Sequence, residues 1–71
     1  MRATLHIKGD KEWLEALYVA LKDQKESKRL KSTLTLHDTL EIVLEAKDST
    51  ALRAGLNTYL RIIQVAEKFK R

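Results

Sequence analysis

The stretch "LKSTLTLHDTLEIVLEA", residues 30–46, decides how the rest of the chain must fold. Leu30, Leu34 and Leu36 share one side of an extended segment, and Leu40, Ile42, Leu44 and Ala46 do the same after it. That is the period-two pattern of half-buried strands. Only His37, Asp38 and Thr39 separate the two segments. So short a connection forces an antiparallel hairpin, although neither Asn-Gly nor Asp-Gly is present to prescribe the turn. A hairpin by itself is at best marginal in water, so its apolar face needs a cover from the flanking segments.

Those segments supply one. Upstream, "RATLHIK" alternates Ala3, Leu5 and Ile7 against Arg2, Thr4, His6 and Lys8, a third half-buried strand that Gly9 ends. Asp10 then stands where its carboxylate can accept the free amides of a helix's first turn. "KEWLEALYVALKDQ" follows with Leu14, Leu17, Tyr18 and Leu21 on one helical face, and the pattern dissolves in the charged connection "KDQKESKR". Downstream, "DSTALRAGLNTYLRIIQVAEKF", residues 48–69, reads as one long helix capped by Asp48 or Ser49. The expected fold is α+β in the order β-α-β-β-α. A right-handed crossover and an antiparallel hairpin place the third strand between the first and second, in a three-stranded antiparallel sheet with both helices packed on one face.

The last helix carries more apolar surface than the sheet needs. Leu52, Leu56, Tyr59, Ile63 and Ala66 form the stripe expected to cover the sheet. Beside it runs a second stripe of Ala51, Gly55, Thr58, Ile62, Val65 and Phe69. A glycine inside a helix costs about 1 kcal/mol relative to alanine, which asks for a close contact in return. One reading packs the first half of this stripe on the other helix of the same chain. The other assigns Gly55, Ile62, Val65 and Phe69 to a partner, with the end of the helix overhanging the sheet.

Composition bounds the function. The chain has 71 residues, no cysteine or proline and two glycines, so it reads as one domain, 1–71, without a disulfide framework. No apolar run approaches the roughly 18 residues of a membrane span, and the expected location is cytoplasmic. No Gly-rich phosphate loop, nucleophile elbow or metal-ligand cluster appears, so neither catalytic residues nor a cofactor nor a metal site is expected. His6 and His37 sit on a solvent-side strand position and in the turn. Glu41 and Glu45 read as cross-strand charge partners of Lys8, Lys31 and His6. The net charge of +4 leaves room for an acidic partner. Lys22, Lys25, Lys28, Arg29 and Lys31 in the central connection and Lys68, Lys70 and Arg71 at the end are candidate RNA phosphate contacts. With no Gly-x-x-Gly loop and no aromatic residue on the strands, base readout is not expected. A stand-alone small α/β RNA-binding module and a dimerisation domain of an unrelated complex are the alternative readings.

Within the last helix, Asp48, Ser49, Ala51, Leu52, Arg53, Asn57, Tyr59, Leu60 and Arg61, followed by Ile62 and Ile63, resemble the C-terminal signature of the Pcc family. This is the small dimerising subunit of the KEOPS complex, which forms threonylcarbamoyl-adenosine in tRNA. The resemblance implies a non-catalytic scaffold subunit, either the main small subunit or its diverged archaeal paralogue. Implied partners are a second copy or the paralogue, in a homodimer or heterodimer, and the ATPase-fold catalytic subunit, on which the helices would dock. A weak tRNA contact and no membrane complete the expectation. On that reading Arg53 bonds an acid near the helix start, Glu45 or Asp48, and Arg61 meets a partner's acid or a phosphate.

Overall fold

The computed structural model describes residues 1–22 and 28–68. Strand β1 (Arg2–Ile7), helix α1 (Lys11–Lys22), strands β2 (Leu30–Leu36) and β3 (Leu40–Ala46) and helix α2 (Ser49–Glu67) follow in the expected order. The sheet runs β1-β3-β2, antiparallel throughout, with Leu5 opposite Ile42 and Leu34 opposite the same residue on the other side. Putting β3 in the centre buries its inward side chains completely. Leu40, Ile42 and Leu44 are fully buried, whereas Leu5, Ile7, Leu30, Leu34 and Leu36 on the edge strands are half-buried. Two helices cannot cover three strands to equal depth, so the core lies over the middle strand, where Leu14, Leu17, Leu21, Tyr59 and Ile63 meet it.

The hairpin closes through His37, whose amide donates to Thr39 O at 3.1 Å. No described residue has positive φ, so the three-residue connection works without the glycine that a two-residue turn would demand. Both helices begin as their sequences require. The Trp13 amide donates to Asp10 Oδ1 at 3.0 Å, and the Ala51 amide to Asp48 Oδ1 at 2.8 Å. Asp48 is therefore the cap of α2, in extended backbone at φ −147° and ψ 171°.

Aromatic side chains tie the layers together by their polar tips. Tyr59 reaches through the core and its hydroxyl donates to Ser32 Oγ at 2.8 Å, the single inward hydroxyl of β2. Trp13 Nε1–H donates to Ala66 O at 3.0 Å, so the start of α1 meets the end of α2 and the helices run antiparallel. Among the described residues no buried side-chain nitrogen or oxygen lacks a partner.

Two expectations about α2 need correcting. Gly55 is buried, and a Cβ built on it would come within 2.5 Å of Leu30 Cδ2. The close approach that the glycine permits is to β2 of its own chain, not to a partner or to α1. Ile62 is half-buried and packs on the same core cluster, near the end of α2 that Trp13 ties to α1, so it is not left to a partner.

Candidate functional site

The outer face of the sheet is wet and its charges are paired across strands. Arg2 Nη2 lies 2.8 Å from Glu45 Oε1, and His6 Nε2 lies 2.9 Å from Glu41 Oε2. Both pairs follow the register, which sets Arg2 opposite Glu45 and His6 opposite Glu41. Arg2 thus takes the place expected for Lys8 or Lys31. These are exposed pairs worth little in stability, and no group of three or more acidic, histidine or cysteine side chains among the described residues could hold a metal. His37 lines an open cavity of about 410 Å³ with Lys11, Glu15, Leu36 and Asp38, at the end of the sheet where the hairpin turns.

The opposite end is basic. Lys28, Arg29, Lys31, Glu45, Ala46 and Lys47 surround a shallow pocket of about 230 Å³. Backbone pairing assembles it: Lys47 N donates to Arg29 O at 3.1 Å, and Lys31 stands opposite Glu45. Three of the candidate phosphate contacts, Lys28, Arg29 and Lys31, are therefore brought together with Lys47, which the sequence reading missed. The hairpin register was the signal for it, since a strand paired as Leu30 with Ala46 must set the residues just outside that pair side by side. Lys68 sits at the far end of α2, about 28 Å along the helix at 1.5 Å per residue, and does not join them. Lys25, Lys70 and Arg71 lie outside the described residues.

Arg29 Nη2 bonds Asp48 Oδ2 at 2.6 Å. Arg53, expected there or on Glu45, is exposed and makes no ion pair among the described residues. The Ala51 amide first, and the Arg29 guanidinium second, hold the Asp48 carboxyl below the usual aspartate range. A folded-state pKa below the unfolded one means that this group stabilises the fold at neutral pH. The contribution is lost as pH falls below about 4 and through the folded value. Asp48→Ala should lower the melting midpoint at pH 7, and the gap from the wild type should narrow as the pH drops to 3. Thermal melts at the two pH values check this; an equal gap at both would show that the carboxylate charge is not what the cap uses.

On the helical layer, the expected partner-binding residues separate. Val65 is 51% exposed on α2, as is Val19 on α1, and Leu60 is 43% exposed. Leu60 and Val65 lie about 140° apart around α2 at ~100° per residue, so they do not form one patch. Phe69 lies outside the described residues. No described helix is long and apolar enough to cross a membrane.

A β-α-β-β-α chain with Asp48 as helix cap, Tyr59 anchored in the sheet and Arg53, Asn57 and Arg61 on the solvent side keeps the signature residues on α2 in distinct structural roles. The family model described as Transcription factor Pcc1 matches residues 13–69, well over half of the chain. The chain belongs to the Pcc1 family. This is the family of the KEOPS small subunit, an accessory type of subunit and not a known catalytic family. At the family level Pcc1 is linked to tRNA processing and to partnership within a KEOPS-type complex. The match begins at Trp13, the residue that ties α1 to the end of α2, and so takes in both helices and the hairpin but not β1. No curated protein matches the chain in sequence.

Proposed function

We propose that this chain is the non-catalytic small subunit of a KEOPS-type complex forming threonylcarbamoyl-adenosine in tRNA in the cytoplasm. It docks on the ATPase-fold catalytic subunit through its helices and joins two assemblies by dimerising with itself or with a paralogue. The observation that carries this reading is that Val19 on α1 and Val65 on α2 are left half-exposed in a Pcc1-family chain whose core forms without them. Leaving such side chains in water forgoes roughly 1.5–3 kcal/mol each relative to burial, which a partner helix would recover. Dimerisation is supported by the edges. Both β1 and β2 have one unpaired side, their registers run without a bulge, and the chain has no proline to blunt them.

Co-purification of the Val19→Asp, Val65→Asp variant with the catalytic subunit tests the reading. We expect a normally folded protein by circular dichroism, unchanged dimers by sedimentation, and capture reduced at least tenfold. A folded variant that captures the subunit as the wild type does would refute the docking surface. A wild type that stays monomeric at micromolar concentration, alone and mixed with the paralogue, would refute the dimer.

A further inference from the structure

The last turn of α2 is not closed by the glycine that commonly ends a helix, since the chain's two glycines are Gly9 and Gly55. Lys68 at the cap keeps right-handed helical backbone, at φ −66° and ψ −21°, and its amide turns back to Val65 O at 3.2 Å. The Ala66 carbonyl belongs to the last four of the helix, which the helical ladder leaves without a donor. A donor comes from the other helix: Trp13 Nε1–H reaches Ala66 O at 3.0 Å, in a partly buried position. Trp13 is itself fixed, because its own amide donates to the Asp10 carboxylate before α1. One residue thus fastens the first turn of α1 to the last turn of α2. Val65 adjoins the carbonyl so held, and Val19 stands about 9 Å along α1 from Trp13 at 1.5 Å per residue.

We propose that Trp13 is a positioning residue for docking: its indole N–H latches the end of α2 to the start of α1 and so presents Val65 at a set place relative to Val19. The inference rests on the docking role proposed above and adds what holds that surface in shape. Val19 and Val65 belong to different helices, so a partner helix that covers both responds to any change in how the two helices lie. Helix ends are the first parts of a helix to open, and a surface ordered only part of the time binds in proportion to its ordered fraction. A latch at that end meets the ordering cost before the partner arrives. Tryptophan suits the task because its ring packs while its N–H takes a fixed acceptor, here a carbonyl that α2 leaves open.

The chain has a single tryptophan, so the nuclear magnetic resonance signal of its indole N–H is unambiguous and hydrogen exchange there reads the latch directly. In the free chain this N–H should exchange about tenfold or more slower than in an exposed tryptophan. Adding the catalytic subunit should slow it further, because a latch that favours docking must be favoured by docking. Total synthesis of the full chain with benzothienylalanine in place of Trp13 keeps the ring and puts a sulfur where the N–H was. In that chain the Val65, Ala66 and Glu67 amides should exchange roughly threefold to tenfold faster, and affinity for the catalytic subunit should fall about twofold to tenfold. Trp13→Phe should act in the same direction. Tyr59→Phe is the control for plain loss of stability: it deletes one hydrogen bond, to Ser32 Oγ, from the middle of α2 and leaves the end alone. Its affinity, and the exchange of those three amides, should match the wild type. An indole N–H that exchanges at the exposed rate, a benzothienyl chain that binds as the wild type does, or a Tyr59→Phe variant that loses as much affinity would overturn the latch. A wild type that the catalytic subunit does not capture would overturn the docking surface and this role with it, and is told apart because it fails with Trp13 intact.

Discussion

Leu44→Ala should cost about 2–5 kcal/mol of stability, the largest effect of any substitution considered for this chain. Leu44 is 0% exposed on the central strand, hemmed in on its own face by the side chains of α1 and α2. Removing its branched end leaves a cavity that neighbours in a close-packed core fill only partly. A folded chain of this size has stability on the order of 4–10 kcal/mol in total, so the variant should be marginal or unfolded at 37 °C. Urea unfolding at fixed protein concentration measures the loss. Leu5→Ala, the opposite case on an edge strand, should cost distinctly less, because Leu5 is only half-buried and water already reaches its site. Equal losses for the two would mean that the core is not centred on β3.

Gly55→Leu should destabilise by about 1–3 kcal/mol even though leucine is the better helix former. The site has no room. A bare Cβ would meet Leu30 Cδ2 at 2.5 Å, Cδ1 at 3.1 Å and Cγ at 3.4 Å. Those are the far atoms of a flexible side chain, so Gly55→Ala should come out near neutral, the gain in helix propensity of about 1 kcal/mol offsetting a rotation of Leu30. Leucine cannot be accommodated so cheaply. Combining Gly55→Leu with Leu30→Ala exchanges the volumes across the contact and should recover much of the loss, with a coupling energy on the order of 1 kcal/mol in a double-mutant cycle. A higher melting midpoint for Gly55→Leu alone would place Gly55 on a free surface after all.

The same contact shows where a reading from sequence reaches its limit. Periodicity identified the two stripes on α2, but which stripe meets which neighbour depends on how far the helix is rotated about its axis. Gly55 and Ile62 turn inward together because Leu30 stands at the start of β2 and Trp13 holds Ala66 from the other side. Neither restraint is visible in α2's own sequence. Val65, one step further round, is left outside. The basic cluster divides in a similar way. Lys28, Arg29 and Lys31 are near one another in the chain and were legible as a group, whereas Lys47 joins them only through strand pairing. Arg29 leaves the set of free cations because Asp48 comes within 2.6 Å of it.

What the sequence determined by itself was local and periodic. Alternation along 2–8, 30–36 and 40–46 specified three strands, helical spacing after Asp10 and Asp48 specified two capped helices, and a three-residue connection left the hairpin no other topology. The order β1-β3-β2 followed, since handedness and hairpin pairing together admit few arrangements. Tertiary structure alone decided the azimuth of α2, the partner of Asp48 and the company of Lys47. Each of these is a contact between residues far apart in the chain, chosen by packing and by competition among several possible partners. Backbone preference extends only a few residues, so nothing in a strand's or helix's own pattern records which of those partners is closest.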